Sequence, residues 1–306
     1  MLHTHKERQA ISGPIMSASR PGPDFICVGA QKGGTRWLFD QLDQHPDFWM
    51  PPIKELHYFN NPASRRHMAE KLSRSAQNLD KLNQRRQRKR YRPLGERDLA
   101  FLAEFLRLAD RRMSYPGYAG LFRFKDDRLS GDITPGYSVL DDRRVEGIVS
   151  HFPDAHYVFI ARDPVKRFWS QVRMHVHKTR LNGDLSDDEV VALLDVKRYR
   201  LRSLQSEIVA RWRGIVPPER FALFLFDELA VDPVGFRRRA IALLGGDPDK
   251  ASGDLPPGFN RKKGKSSVAM PENLRRLVAA RLANEIHACA EAFGGAAKTW
   301  PAQNGV

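Results

Sequence analysis

Short apolar runs alternate with amphipathic stretches along most of the chain. Three apolar runs are predicted to be β-strands: 24–29 (DFICVG), 157–161 (YVFIA) and 221–226 (FALFLF). A shorter strand candidate lies within 129–137 (LSGDITPGY) and runs into a Pro-Gly turn. The stretch after the first run has helical spacing, because Trp37, Leu38 and Leu42 share one face and Pro46 marks its end. Strands that alternate with helices predict a three-layer α/β fold, with a mostly parallel sheet covered by helices on both faces.

Three further helices are predicted at 96–112, 232–246 and 270–295. The first is amphipathic, and the third is long and carries apolar residues throughout. In the second, Asp232 and Pro233 are typical of a helix start, and the pair Gly245 and Gly246 is typical of a helix end. No segment repeats at a fixed period, which excludes a repeat architecture.

We expect one domain over residues 24–306, preceded by a mobile tail over residues 1–23. A strongly basic helical insertion over about 61–120 interrupts it, and its densest part carries Lys81, Arg85, Arg86, Arg88, Lys89, Arg90 and Arg92. Two interpretations of this insertion stay open. It is either a rim or lid that recruits an anionic acceptor, such as an acidic glycan or a lipid head group, or a solvated run of charge.

Composition narrows the class of protein. The chain has 306 residues, a formal net charge of +15 and two cysteines. The charge favours anionic partners, and Cys27 lies in an apolar run that suits a buried thiol rather than a disulfide or a metal ligand. No segment is apolar over the length of a transmembrane helix, and the N-terminus lacks the apolar core of a signal peptide. We therefore expect a cytoplasmic protein.

Residues 28–37 (VGAQKGGTRW) have the setting of a phosphate-binding loop, since they lie between a strand and a helix. Gly29 and Gly34 have the spacing of a nucleoside-triphosphate loop, but Thr35 and Arg36 replace its Lys and its magnesium-binding hydroxyl. The lysine is Lys32, inside the loop. Glycines let the backbone approach an anion, and the start of a helix attracts it, so the loop predicts phosphate binding without the metal ligand of an NTPase.

Two other basic loops follow. In 162–170 (RDPVKRFWS), Arg162 ends a strand, and Asp163 with Pro164 suits the start of a helix. A guanidinium there can bind phosphate through two hydrogen bonds. The loop 260–267 (NRKKGKSS) fits either a segment that closes over an anion or a solvated linker.

Together these motifs resemble the sulfotransferases that use 3′-phosphoadenosine 5′-phosphosulfate (PAPS). The loop 28–37 is similar to the family's 5′-phosphosulfate loop, and Arg162 with Ser170 is similar to its 3′-phosphate element. The segments 54–59 (KELHYF) and 131–137 (GDITPGY) are similar to segments of the heparan-sulfate branch and its bacterial relatives, and 262–267 (KKGKSS) is similar to the late nucleotide-covering loop.

The resemblance implies a P-loop-like fold and transfer of a sulfuryl group from PAPS to a hydroxyl or amine of a carbohydrate, lipid or other small acceptor, with no obligatory metal. It also implies the donor-binding residues, which are Gln31, Lys32, Gly33, Gly34, Thr35, Arg36, Trp37, Arg162, Ser170, Lys263, Gly264 and Lys265. Acceptor contacts are expected from Lys54, Asp132, Thr134 and Tyr137.

Two residues are candidates for the chemistry besides Lys32, which would stabilise the leaving phosphate oxygen. By resemblance Glu55 is the general base that takes the acceptor's proton. His57 either shares that transfer, acts as the base itself, orients the acceptor or packs. One departure from the heparan-sulfate pattern is Ile133 where a lysine is often found, with Asp132 in place of glutamate. This argues against a glycosaminoglycan acceptor but not against PAPS.

Two other functions compete. A nucleotide kinase or NTPase with a P-loop would carry a lysine beside the loop hydroxyl and an acidic magnesium ligand after a strand. A nucleic-acid-binding protein would use the charge of +15, but the sequence shows no helix-turn-helix, finger or stacking sheet. We therefore expect no nucleic-acid partner.

Overall fold

The computed structural model of the protein describes residues 21–60, 62, 63, 65–68, 70, 78–109, 111–179, 185–250, 255–259 and 269–306. These residues contain a four-stranded sheet made of β1 (Phe25–Gly29), β2 (Gly131–Ile133), β3 (His156–Ala161) and β4 (Phe221–Leu225). The strand order is β2-β1-β3-β4 and every pairing is parallel. The predicted α/β fold with a parallel sheet is confirmed.

Alternation along the strands gives the sheet two buried faces. In β1, Ile26 and Val28 pack into one hydrophobic cluster, while Phe25 and Cys27 pack into a second. Successive side chains of a strand point to opposite faces, so continuous apolar runs indicate burial on both sides. Helices cover both clusters, as the sequence predicts. The thiol of Cys27 is buried, and burial raises its pKa to about 12.

The helices run in chain order from α1 to α13. They are α1 (Thr35–Asp43), α2 (Leu79–Arg88), α3 (Glu96–Ala109), α4 (Tyr115–Gly120), α5 (Asp142–His151), α6 (Pro164–Thr179), α7 (Asp187–Ala192), α8 (Lys197–Ser203), α9 (Gln205–Ile215), α10 (Phe226–Val231), α11 (Pro233–Leu243), α12 (Glu272–Phe293) and α13 (Trp300–Asn304). Buried residues of α3, α5, α6, α9 and α12 cover the Ile26 face, and those of α1, α10 and α11 cover the Phe25 face.

Local signals place several helix starts correctly. The Asp232 side chain accepts a hydrogen bond from the Gly235 amide, and α11 begins at Pro233. The Asp163 carboxylate caps α6 in the same way, at 2.8 Å from the Lys166 amide. Each of these bonds satisfies an amide that has no partner within its helix.

The described part of the basic insertion is mostly helical, and some of its charged side chains have structural partners. Phe101 and Phe105 of α3 are buried in the core cluster on the Ile26 face. Arg92 donates two hydrogen bonds of 2.7 Å to the buried carboxylate of Asp98 and one of 3.0 Å to Asp43 of α1. The side chains of Lys81, Arg85, Arg88, Lys89 and Arg90 are exposed. Both interpretations of this exposed charge therefore stay open.

No helix within the described ranges has both the length and the apolar character that crossing a membrane requires.

Candidate functional site

The loop between β1 and α1 is shaped for close approach of an anion to the backbone. Lys32 and Gly34 have φ angles of 74° and 97°, and Gly34 precedes the first residue of α1. The amide of Ala30 donates to the carbonyl of Ile160 at 3.0 Å, which ties the loop to β3. The free amides at the start of α1 and the positive end of its dipole therefore face the carboxyl edge of the sheet.

Gly33 is the residue that lets this loop lie against β3. A Cβ at Gly33 would lie 2.2 Å from the carbonyl oxygen of Ile160, a backbone atom that cannot move aside. A side chain of any size is therefore incompatible with the observed loop.

We expect Gly33→Ala to lower the free energy of unfolding by about 1–3 kcal/mol, the usual effect of overpacking a buried site. Urea denaturation measures this change. Gly214→Ala is the matched control, since a Cβ there meets no atom within 4 Å. Equal stability of the two variants would contradict the packing assigned to Gly33.

Arg162 joins the second basic loop to the first. Its Nη1 donates to the carbonyl of Lys32 at 2.9 Å, and its guanidinium lies over the ring of Phe226 at 4.5 Å. Gln205 fixes the backbone of Arg162 through two hydrogen bonds, of 3.1 and 2.7 Å. The connections of β1 and β3 leave in opposite directions along the sheet, and the crevice between such strands is where open α/β sheets bind ligands.

Two further arginines lie near Arg162. Arg167 is fully buried and donates to the neutral side chains of Gln171 and Ser203, each at 2.7 Å. Burial, and then the charges of Arg202 and Arg162, lower the pKa of Arg167 to about 9. The Nε atoms of all three arginines are buried and have no hydrogen-bond partner among the described residues. A bound anion would offset this concentrated positive charge.

A third segment, 54–57, brings a carboxylate between two cations. Lys54 Nζ lies 2.7 Å from Glu55 Oε1, and His57 Nε2 lies 3.4 Å from Glu55 Oε2. Burial alone would raise the pKa of Glu55, but the charge of Lys54 and the hydrogen bonds from His57 and Lys54 outweigh it and hold the pKa well below its usual range. The Glu55 side chain keeps 36 % exposure, so the ionised carboxylate remains accessible.

The protonation of His57 follows from its two partners. His57 Nδ1 lies 3.0 Å from Asn60 Oδ1, and Asn60 Nδ2 donates to the carbonyl of Gly136, which fixes the orientation of that amide. His57 Nε2 faces Glu55. Both ring nitrogens thus face acceptors, so the imidazolium is the favoured form. Burial lowers the pKa of His57, but the hydrogen bonds to Glu55 and Asn60 raise it above its ordinary value.

The raised pKa gives His57 a defined effect on stability. A group whose pKa is higher in the folded protein stabilises fully below its unfolded pKa and loses this effect as pH rises through the folded pKa. We expect the difference in unfolding free energy between the wild type and His57→Gln to be constant below about pH 6. As pH rises further, this difference should shrink by about 1.4 kcal/mol for each unit by which folding raises the pKa of His57. Urea denaturation at a series of pH values measures it. Asn60→Leu, which removes one acceptor, should shrink the pH-dependent part, and a pH-independent difference would contradict the imidazolium.

Backbone strain marks the same residues. Lys32, Glu55 and His57 all have left-handed φ angles, at 74°, 71° and 52°. Residues other than glycine adopt this region at a cost of about 1 kcal/mol or more, and such residues cluster at functional sites.

The remaining candidate residues are distributed around these loops. Burial, and then the charge of Arg36, lower the pKa of Lys54, so Arg36 of α1 lies near the 54–57 segment. Trp37 Nε1 donates to the carbonyl of Pro257 at 2.6 Å. Thr35 opens α1, and Ser170 is half-buried in the second turn of α6. The side-chain oxygen of Gln31 is buried and has no hydrogen-bond partner among the described residues.

The candidate acceptor residues on and after β2 are buried. Asp132, Thr134 and Tyr137 are at most 1 % exposed, and their side chains bond to one another. Ile133 is buried in the cluster on the Phe25 face. Lys263, Gly264 and Lys265 lie outside the described residues, so their predicted contact with the donor stays a prediction.

Several residues of the site carry no signal that the sequence analysis used. Asn60 follows the KELHYF segment directly, and its position three residues after His57 is the one local hint. Arg202 and Gln205 lie more than 30 residues after the end of the basic loop 162–170. Only the packing of α6, α8 and α9 brings them there.

In the residues that the structure covers, no group of three or more His, Cys, Asp or Glu is arranged to hold a metal ion.

Comparisons with known proteins agree on the class. The family model described as "Sulfotransferase family" matches residues 23–249. A sulfotransferase from Alicyclobacillus acidocaldarius superposes with a TM-score of 0.59 and 23 % identity, covering 91 % of this chain and 98 % of its own. The sulfotransferase domain of the Synechococcus PCC 7002 olefin synthase superposes with a TM-score of 0.51 and 20 % identity. The match covers 84 % of this chain and 83 % of that domain. Comparison with curated proteins gives no match.

Proposed function

The chain belongs to the sulfotransferase family, and from this premise we propose that it transfers a sulfuryl group from PAPS to a hydroxyl or amine of a small-molecule, lipid or carbohydrate acceptor. The observation that carries the proposal is the hydrogen bond from Arg162 to the carbonyl of Lys32, which joins the two loops expected to bind the donor's two anionic ends. The finer resemblance to the heparan-sulfate branch stays a prediction.

The residues around the crevice fit such a donor. Gly33 lets the loop lie against β3, and the start of α1 offers amides to the 5′-phosphosulfate. Arg162 and Ser170 would hold the 3′-phosphate. The buried guanidinium of Arg167 adds positive charge behind Arg162, and burial makes that charge act over a longer range than it would in water.

In the transfer step, the acceptor oxygen or nitrogen forms a bond to sulfur while the bond between sulfur and the bridging phosphate oxygen breaks. Glu55 takes the acceptor's proton, and adenosine 3′,5′-bisphosphate leaves with the bonding electrons. Lys32 would stabilise the negative charge that grows on the departing oxygen. This reaction needs charge stabilisation and positioning, which the cations of the loops supply.

Glu55 suits the role of base better than His57 does. Its carboxylate is ionised and accessible, whereas both nitrogens of His57 already face acceptors. Lys54 and His57 hold the two oxygens of Glu55, and each oxygen keeps a lone pair for the acceptor.

Arg202 adds a positive charge near Glu55. Burial lowers the pKa of Arg202, and the charge of Glu55 partly restores it, so the two side chains interact across the site. Ile133 has no charge, so it offers no cation where heparan-sulfate enzymes often have a lysine. This departure argues against a glycosaminoglycan acceptor.

A transfer assay tests the proposal. The protein is incubated with PAPS labelled on sulfur and with extracts of the source cell, and the labelled product is isolated and identified. We expect label in an acceptor only when active protein is present, and no label transfer from ATP labelled at its γ-phosphate. Transfer from ATP without transfer from PAPS would contradict the proposal and indicate a kinase.

A further inference from the structure

Asp132 is a buried carboxylate bonded to three hydroxyl groups. Thr134 Oγ1 donates to it at 2.6 Å, Tyr137 OH at 2.7 Å and Tyr118 OH at 3.2 Å. Tyr118 belongs to α4, at the end of the basic insertion, whereas the others lie on β2 and the turn after it. Burial raises the pKa of Asp132, and the hydroxyl bonds favour its charged form.

These groups in turn accept the amides of three consecutive residues that follow Glu55. The Leu56 amide donates to Asp132 Oδ1 at 3.5 Å, and the His57 amide to Thr134 Oγ1 at 3.5 Å. The shortest bond is the third, in which the Tyr58 amide donates to Tyr137 OH at 2.9 Å. Asp132, Thr134 and Tyr137 thus form one set, called here the β2 platform.

The segment 55–58 needs such support. Glu55 and His57 both have left-handed backbone conformations, which a free loop of these residues would leave. The backbone amides of residues 56–58 all donate to members of the β2 platform. The direction of the Glu55 carboxylate therefore depends on groups that lie 76 or more residues away in the chain.

The members of the β2 platform are too deeply buried to touch an acceptor. Their exposure is at most 1 %, and each polar atom is already bonded to a neighbour or to an amide of the segment. Groups in this position can affect the reaction only through the loop that they hold.

We propose that Asp132, Thr134 and Tyr137 are positioning residues that hold Glu55 and His57 in their working geometry, rather than acceptor-binding residues. This inference rests on the proposed sulfuryl transfer for its kinetic consequence, but its structural consequence is independent of the substrate. Removal of a platform hydroxyl should lower the rate of transfer and leave the affinity for the donor unchanged.

Tyr137→Phe tests the proposal, with Tyr157→Phe as its matched control. Both variants remove one buried phenol hydroxyl, but Tyr157 OH donates to the carbonyl of Phe152 and makes no hydrogen bond to the β2 platform. We expect Tyr137→Phe to lower kcat about 30- to 100-fold at an unchanged KM for PAPS, since a displaced catalytic group loses rate in this range. Tyr157→Phe should keep kcat within about twofold, with a similar loss of thermal stability.

A second pair of variants separates loss of the hydroxyl from loss of folding. Thr134→Val removes the hydroxyl at nearly constant volume, and Thr134→Ser keeps it. We expect Thr134→Val to lose transfer and Thr134→Ser to restore most of it. Equal activity of the two variants, or a kcat of Tyr137→Phe that matches Tyr157→Phe, would overturn the proposal.

NMR titration of histidine labelled at Cε1 gives a readout that needs no substrate. His57, assigned with His57→Gln, should titrate above the ordinary histidine pKa in the wild type and in Tyr157→Phe, and closer to about 6.5 in Tyr137→Phe, because the loop then separates His57 from Glu55. Identical His57 curves in both tyrosine variants would overturn the positioning role even if the wild type proved inactive with PAPS. If the wild type did not transfer sulfuryl from PAPS but the His57 pKa shifted as expected in Tyr137→Phe, the proposed function would be rejected and the positioning role would stand.

Discussion

Glu55→Gln is expected to lower kcat for sulfuryl transfer by about 10²- to 10⁴-fold, the usual contribution of a general base. Glutamine keeps the shape of the side chain but cannot take the acceptor's proton. It also leaves the cations Lys54 and His57 without their shared carboxylate, 2.7 and 3.4 Å away. Initial rates with labelled PAPS, and titration with adenosine 3′,5′-bisphosphate, separate the loss of rate from donor binding.

The matched control for this substitution is Glu272→Gln. Glu272 is also an ion-paired glutamate, but its partners are Arg275 and Arg276 on the surface of α12. We expect this variant to transfer at the wild-type rate, and Glu55→Gln to bind the bisphosphate within about threefold of the wild type. Wild-type turnover by Glu55→Gln would remove Glu55 from the role of base.

The pH profile should distinguish the two candidate bases. The pKa of Glu55 is held well below its usual range, so the carboxylate stays ionised as pH falls toward about 4.3, the ordinary value for glutamate. We therefore expect no loss of kcat/KM from Glu55 between neutral pH and that point. If His57 were the base, activity would instead fall as pH drops through its raised pKa.

Lys32→Ala is expected to lower kcat by about 10²- to 10³-fold, since removal of one group that stabilises a developing oxyanion has this effect. Lys32 lies inside the loop with a left-handed φ of 74°, and Arg162 donates a hydrogen bond to its carbonyl. Single-turnover rates at saturating PAPS measure the chemical step directly.

Lys250→Ala is the control for charge alone, because Lys250 is an exposed lysine paired with Asp47. It removes the same net charge and should leave the single-turnover rate unchanged. If Lys32→Ala raised only the KM for PAPS and kept kcat, Lys32 would bind the donor equally in the ground and transition states. The leaving-group role would then be wrong.

Local signals account for the parts of the molecule that the sequence predicts well. The strands β1, β3 and β4 are mostly apolar runs, and α11 and α6 begin at Asp-Pro pairs whose capping is seen in the structure. The long C-terminal helix is predicted over 270–295 and found over Glu272–Phe293. Helix ends are less exact, and α1 stops at Asp43, three residues before Pro46.

Long-range packing accounts for the parts that the sequence does not predict. The short helices α7 to α9 have no strong apolar period, and their sequence predicts no element between 187 and 215. They nevertheless bring Arg202 and Gln205 to the site. Likewise, the bonds from Tyr118 to Asp132 and from Asn60 to Gly136 join segments that no spacing rule relates.

Calorimetric titration with adenosine 3′,5′-bisphosphate, compared with ATP·Mg²⁺, tests the central claim most directly. A sulfotransferase site between the loops of Lys32 and Arg162 should bind the bisphosphate at one site per chain, with a Kd at or below about 10 μM. ATP·Mg²⁺ should bind at least about tenfold more weakly, and Arg162→Gln should weaken the bisphosphate selectively. Tighter binding of ATP·Mg²⁺, or bisphosphate binding that Arg162→Gln leaves unchanged, would contradict the account.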